Sequence, residues 1–566
     1  MEKFKMLLAA ALAAELKMSA TEVRDMMETP PNPAWGDIAI PCFPLAKVLR
    51  KAPQAIAADL ASVLSQQDVV ERADVVGGYV NVTLKGEIVA RDIVTRLMDG
   101  DMGYGEVKPG SGKKVVIDFS SPNIAKPFGI GHLRTTVIGH SIARLYSELG
   151  YQVERVNHLG DWGTQFGKLI VAYQMFADND PLTEDPISTL YRIYVEFHRV
   201  ADERPELEEE ARLWFRRLEQ GDPEARRYWQ WFIDVSLREY QRVYDLLGID
   251  FDHFLGESFY EPLLDGAIAE VQDKGLARVS DGALIVDLEE FGMPPCLLRK
   301  SDGATLYATR DIAAALYRDR TYNPEILIYV VGQEQILHFR QLKQVLQLMG
   351  EPAGDKLVHV PFGMFKLRDG RMSTRRGKMI FLEDVLAKSI ELAAGVIAEK
   401  NPELGGSEEI ARQVGVGAVV FGDLKNGRIK DVVFDWEEIL NFDGETGPYV
   451  QYTHARVCSL LRRAGDEARI ALASADTLTE EHGLPLVKLL GDFPQTVARA
   501  AGAFEPSLLS RYLLDVAQSF NRYYHHHRVL VEDADVMSTR LAVVSAVKFV
   551  LAHGLYLLGI SAPDRM

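Results

Sequence analysis

The stretch 114–163 constrains this chain more than any other. Lys114–Phe119 is a short run of β-branched and apolar residues, the pattern of a buried strand. A polar, proline-containing loop runs from Ser120 to Gly131. From His132 onward, Leu133, Val137, Ile138, Ile142 and Leu145 recur at helical spacing, and Gly150 is a suitable C-terminal stop. Tyr151–Asn157 then reads as a second strand. The result is a βαβ unit whose first loop empties onto a helix N-terminus, where free N–H groups and the helix dipole favour a bound phosphate.

A dinucleotide-binding fold is the plain alternative, and the residues argue against it. Gly129 and Gly131 begin a GxG, but the third small position is Arg134, too bulky for close helix–strand packing. Gly131-His132 instead occupy the first helical turn, so an imidazole can face a triphosphate. Asn123 and Lys126 add donors just upstream.

With 566 residues and 47% apolar composition, the chain has room for about three or four domains. Its net charge of −18 speaks against an RNA partner only on average, because a local basic groove still binds phosphates on an acidic protein. Cys42, Cys296 and Cys458 are far apart with no CxxC spacing, which implies neither a zinc site nor a disulfide framework and suits a reducing cytoplasm. The start, MEKFKMLLAAALAA, resembles a signal peptide, but Phe4, Leu7, Leu8, Leu12 and Leu16 continue as a helical stripe. Ser19 and Glu22 have the spacing of a capping box for the next helix. No later run reads as long enough to cross a membrane, so no membrane partner is expected.

Residues 1–108 read as an α+β module, with ADVVGGYVNVTL (73–84) as strand–turn–strand and KPGSGK as the linker that ends it. Residues 109–380 hold the nucleotide domain, interrupted at about 177–250 by a charged helical insertion whose charge reads as a solvated face. Sheet patterns return at GALIV (282–286) and ILIYVV (326–331), and the alternation of strands and helices predicts a parallel, doubly wound, Rossmann-like sheet. Ligands in such sheets bind beyond the carboxyl ends of the strands, where the strand order reverses. From 381 the pattern is helical, a connecting region to 440 and then a bundle over 441–566. His525, His526 and His527 invite a metal reading, but successive helical residues point about 100° apart and cannot converge on one ion.

SSPNIAKPFGIGHLRTTVIG followed by NHLGDWGTQFG closely resembles the signature of the arginyl-tRNA synthetases, of class I, and the similarity continues to the C-terminus. The resemblance implies a HUP-type catalytic domain, an N-terminal domain on the tRNA elbow and an anticodon-binding bundle. It implies ATP, with Mg2+ on its phosphates, L-arginine and tRNA(Arg) as partners of a cytoplasmic monomer. The HIGH-type motif falls on Gly129-Ile130-Gly131-His132, so Gly129 replaces the usual first histidine. In the basic loop FKLRDGRMSTRRGKM (365–379) the usual second lysine is missing, and Lys126 is expected to stand in on the phosphates. Expected catalytic residues are thus His132, Lys126, Arg371 and Ser373. Gly129, Gly131, Met372 and Arg375 complete the ATP set.

For arginine the resemblance assigns Asp118, Tyr307 and Asp311 to the guanidinium, and Asn123 and Gln335 to the α-amino and carboxylate groups. A planar fork of donors suits carboxylates and a phenol oxygen, and lysine would leave those acceptors unmatched. On the residues alone, Tyr307 and Asp311 are an ordinary pair one helical turn apart. Tyr79 and Asn81 are expected on the tRNA elbow. Tyr449, Arg456, Arg462 and Met566 are expected at the anticodon loop, where bases splay out and stack. A small-molecule nucleotidyltransferase and a non-catalytic tRNA-binding paralogue are the alternatives.

Overall fold

The structure, a computed structural model, describes residues 1–104, 108–176, 186–366, 381–402, 404, 406–433, 441, 444–465 and 468–566. These divide into two compact units. One comprises 1–103, 456–495 and 515–551; the other comprises 104–455, 496–514 and 552–566.

In the first unit, strands β1 (Ile38–Pro41), β2 (Val70–Val76) and β3 (Tyr79–Leu84) form an antiparallel sheet with β3 in the centre. Gly77 supplies the positive φ that the β2–β3 turn requires. The first helix, Glu2–Leu16, buries Phe4, Leu8, Leu12 and Leu16, whereas Leu7 is 39% exposed and leaves the expected stripe. Ser19 and Glu22 form the capping box in full. The helices of segment 456–495 pack on this module: Lys488 pairs with Asp37 at 2.5 Å, and Gly491 lies against Ile93.

The second unit is built on a five-stranded parallel sheet. Its strands are β4 (Lys114–Asp118), β5 (Gln152–Asn157), β6 (His253–Phe254), β10 (Ile326–Gly332) and β11 (Leu357–Phe362), in the order β11-β10-β4-β5-β6. The chain leaves β4 in one direction through β5 and β6, then returns on its other flank through β10 and β11. The order therefore reverses between β4 and β10, the place where ligands bind in open sheets of this kind. GALIV does not join this sheet. It forms the middle of an antiparallel one, β7 (Ala277–Ser280), β8 (Ala283–Val286) and β9 (Cys296–Arg299).

The signature helix runs from Gly131 to Glu148 and ends at Gly150, φ 90°. It reaches the sheet closely at Gly139, where a Cβ would collide with Phe119. Arg134 does not obstruct that packing because it turns away. Its Nε lies 2.8 Å from Asp423 Oδ1, and its Nη1 donates to the carbonyls of Gly363 and Lys430. The insertion forms helices Pro186–Ala201, Glu206–Glu219 and Pro223–Leu247.

The remainder is largely helical. Ala534–Leu557 overturns one expectation: with 24 residues and a hydropathy of 1.5 it is long and apolar enough to cross a membrane. The protein buries 61% of its apolar window instead, including Leu541, Val544, Val547 and Leu551. The Ser507–His526 helix places His526 against His482, ring centroids 4.3 Å apart, and His527 beside Tyr523 at 5.1 Å.

Candidate active site and tRNA-contact residues

The loop leaving β4 is held in a demanding shape. Ser120, Ser121 and Ala125 all have φ between 50° and 73°, a left-handed region costly for residues with a Cβ. Neighbours fix each turn. Ser120 N–H donates to Thr135 Oγ1 at 3.1 Å, Ser121 N–H to Asn157 Oδ1 at 3.2 Å and Ala125 N–H to Ser236 Oγ at 2.8 Å. Tyr240 donates to the carbonyls of Asn123 and Lys126, and Tyr244 hydroxyl meets Ser120 Oγ at 2.8 Å. Ser236, Tyr240 and Tyr244 belong to the Pro223–Leu247 helix, so the insertion read as a solvated arm clamps the site loop.

On the phosphate side, the signature helix has no side-chain N-cap, and a Cβ on Gly131 would meet nothing within 4 Å. Among the described residues no side chain caps this helix N-terminus, which leaves that end of the helix for an anion. His132 packs 5.2 Å from the Phe128 ring. Burial lowers its pKa to about 4 against the opposing influence of the Gly129 backbone, and Lys126 adds to the lowering. The imidazole is neutral at pH 7, and its Nδ1 has no hydrogen-bond partner among the described residues. Lys126 Nζ stands 6.0 Å from the Tyr194 ring. Gly129 bridges to Phe381, and Leu382 N–H donates to the Phe128 carbonyl. At the other end Phe365 and Lys366 pair with Val432 and Val433. Both flanks of the basic loop are thus anchored in this unit; Arg371, Met372, Ser373 and Arg375 lie outside the described residues.

On the acidic side, Asp118 is 5% exposed at the end of β4, and Asp311 lies one turn into the Tyr307–Tyr322 helix. Both carboxylates act on His158, as does Asp161, yet burial outweighs them and keeps this histidine's pKa below its usual value. Asp311 accepts from His338 Nε2 at 2.5 Å. His338 follows the Gln333–Gln335 turn, which brings exposed Gln335 to the same edge. Asn123 bridges to Gly160. Tyr307 is 68% exposed at the helix start, one turn before Asp311.

Sequence reasoning missed four residues here: His158, Glu257, Arg318 and His338. Burial raises Glu257 to about 7 against the pull of Arg310, with Asp161 and Asp311 raising it further. Arg310 is itself bonded to Glu261 at 2.9 Å, and Asp118 is met by Arg318 at 2.7 Å. Asp161, Glu257 and Asp311 form no ion pair with a lysine or arginine among the described residues. Carboxylates in this surplus, close enough to act on His158 and on Glu257, suit a cation. The one sequence-level signal was GES (256–258): a Cβ on Gly256 would collide with the Asp161 carboxylate, which accepts from Ser258 N and Oγ.

The comparisons follow this geometry. The family model for tRNA synthetases class I (R), catalytic domain, matches residues 93–436. The arginyl tRNA synthetase N terminal domain matches 2–84, and the DALR anticodon binding domain 450–566. An arginine--tRNA ligase of Halothermothrix orenii is 47% identical over 564 residues, covering 100% of both chains. The chain belongs to the arginyl-tRNA synthetase family. An arginine--tRNA ligase of Clostridioides difficile is 46% identical, again over 100% of each chain. The solved Thermus thermophilus arginyl-tRNA synthetase superposes with a TM-score of 0.84 at 29% identity, covering 99% of each chain.

The residues expected at tRNA sit as follows. Tyr79 and Asn81 flank Val80 on β3, with Tyr79 38% exposed and Asn81 buried. Together with Thr29, Pro30, Pro31, Trp35 and Val76 they line a hollow of about 320 Å³. Trp35 is 51% exposed, so the hollow offers aromatic faces to solvent. Tyr449 is half-buried at the start of the Gly447–Ala464 helix. Arg456 donates to Asn521 Oδ1 at 2.7 Å and lies 5.8 Å from the Tyr524 ring, while Arg462 is exposed in the last turn. Met566 packs against the cluster of Ala393, Ile397, Ala411 and Val414.

Proposed function

We propose that this chain attaches L-arginine to the terminal adenosine of tRNA(Arg) in two steps, where the strand order reverses between β4 and β10. In the first, the α-carboxylate of arginine attacks the α-phosphorus of ATP and pyrophosphate leaves; Mg2+ enters with ATP as part of the substrate. In the second, a ribose hydroxyl of the tRNA attacks the adenylate carbonyl carbon, and AMP leaves with the bonding electrons. The protein forms no covalent bond, so its work is orientation and charge stabilisation.

The observation that carries this reading is a cluster of carboxylates at the ends of β4 and the Tyr307–Tyr322 helix, of which Asp161, Glu257 and Asp311 have no lysine or arginine partner among the described residues. Asp311 and Glu257 take the substrate guanidinium, with the Tyr307 hydroxyl able to swing in as acceptor. Gln335 and Asn123 hold the amino-acid head. The open N-terminal turn at Gly131, neutral His132 and Lys126 hold the triphosphate, with Arg371, Met372, Ser373 and Arg375 of the basic loop assigned to the same task. Neutral His132 donates one hydrogen bond without a fixed positive charge, which leaves charge neutralisation to Lys126 and the loop. With Gly129 in place of a histidine, one donor is absent and the helix dipole carries more of the load.

The hollow at Trp35, Tyr79 and Asn81 takes an unstacked base of the tRNA elbow. Tyr449, Arg456, Arg462 and Met566 serve the anticodon loop, and activation of arginine depends on bound tRNA. The enzyme acts in the cytoplasm as a monomer. Aminoacylation with arginine, ATP and total tRNA tests the reading. Arginine-specific charging supports it, and charging with another amino acid, or none, overturns it.

A further inference from the structure

Arg318 is 1% exposed, a complete guanidinium buried beside the carboxylate of Asp118. It lies seven residues after Asp311 in the same helix, two turns along one face. Its Nη1 is 2.7 Å from Asp118 Oδ2, and its Nη2 is 3.3 Å from His158 Nδ1. Its central carbon is 5.1 Å from the Tyr329 ring and 5.8 Å from the Tyr260 ring. Tyr329 is the register partner of Asp118 across β10 and β4, so aromatic face and carboxylate are set by the sheet itself. The second oxygen of Asp118 accepts from Ser121 Oγ at 2.9 Å.

Two consequences follow from elementary chemistry. A buried guanidinium must be paired, and Asp118 is the carboxylate that pairs it. A guanidinium also has donors only and keeps its proton, so His158 Nδ1 is the accepting nitrogen. The neutral ring then carries its hydrogen on Nε2. Burial and the Arg318 guanidinium both disfavour a cationic imidazole at this position, which spares a substrate cation that repulsion.

We propose that Arg318 is a positioning residue that sets specificity: it claims Asp118 for the protein and fixes His158 as its neutral Nε2–H form, leaving the substrate guanidinium to Asp311 and Glu257. This deepens the arginine-charging reading and rests on it. The family resemblance assigned Asp118 to the substrate; the partner that claims it lies 200 positions downstream.

The test compares arginine with citrulline, its uncharged ureido isostere, as competitors in aminoacylation by the full chain. Asp311→Asn is expected to cut the preference for arginine about ten- to a hundred-fold, the loss of one charge-assisted bond. Asp118→Asn leaves the buried Arg318 without its carboxylate and is expected to lower overall activity, while shifting that preference much less than Asp311→Asn does. Arg318→Met strands the Asp118 carboxylate and lowers activity, and adding Asp118→Asn restores part of it. The proposal is overturned if Asp118→Asn collapses the preference as far as Asp311→Asn does, or if the double variant is worse than both single ones. Should Arg318→Met fail to fold, as thermal unfolding would reveal, the Asp118→Asn and Asp311→Asn comparison decides alone. Failure of the unaltered chain to charge arginine at all would be a different outcome, striking the proposed function instead.

Discussion

The site at β4 and β10 and the hollow at β3 solve recognition by opposite means. The first gathers carboxylates held within bonding networks, with Asp161 and Glu257 largely out of water and Asp311 bonded to His338. The hollow at Trp35 and Tyr79 presents prolines and exposed aromatic faces, with Asn81 as its buried polar group. A buried charge discriminates steeply, because an unmatched partner leaves it unpaired at full cost. A stacking face tolerates any flat base and contributes through contact. One site is thus built to reject and the other to hold.

Asp311→Ala should break that contrast most forcefully if it is wrong. The KM for arginine should rise by at least about ten- to a hundred-fold, from the roughly 1.5–3 kcal/mol of a charged hydrogen bond, while tRNA affinity stays put. Equal losses in both would mean the two sites are not separate tasks. Tyr79→Ala should do the converse, weakening tRNA binding by about 1–3 kcal/mol with the arginine KM unmoved. Its salt dependence should match that of the unaltered chain, since stacking releases no counterions; a flatter slope in titrations would assign Tyr79 a phosphate instead.

Acid sharpens the same contrast at smaller amplitude. Glu257, raised to about 7, holds its proton below that pH and offers a guanidinium no charge. Arginine binding should therefore be full above pH 7 and decline by at most about tenfold per unit below it, with a proton released on binding near neutrality. Calorimetry in buffers of different ionisation enthalpy measures that proton, and its absence would remove Glu257 from the site. His132 tests stability in the same range. Its lowered pKa favours the folded state above about pH 6.5, and the contribution is lost as pH falls toward 4, where the buried ring must charge. Gly129→His should have the smallest effect, leaving aminoacylation unchanged or modestly raised; a large loss would show the space already in use.

What was legible in the sequence was local. Leu133, Val137, Ile138 and Ile142 announced the signature helix through their spacing, and all four are buried. Asp311 one turn after Tyr307 was likewise an intrahelical fact. Pairings across long stretches were not legible. Nothing in RPELEEEARLWFRRLE or the helix after it tells that Tyr240 and Tyr244 reach a loop more than a hundred residues earlier, because amphipathic spacing gives a buried face but not its partner. GALIV has a strand's composition whichever sheet it joins, so its antiparallel home was beyond pattern reading. Ala534–Leu557 is apolar nearly all round because protein surrounds it, and hydropathy cannot separate that from lipid.

The left-handed turns at Ser120, Ser121 and Ala125 carry a last implication. Thr135 and Asn157 hold the first two from within the signature, but the Ala125 turn and the loop's hydroxyl contacts rest on Ser236, Tyr240 and Tyr244, so part of the restraint arrives only once the Pro223–Leu247 helix has emerged and docked. Trimming that helix to make a smaller enzyme would leave every signature residue in place and still loosen the cradle they depend on.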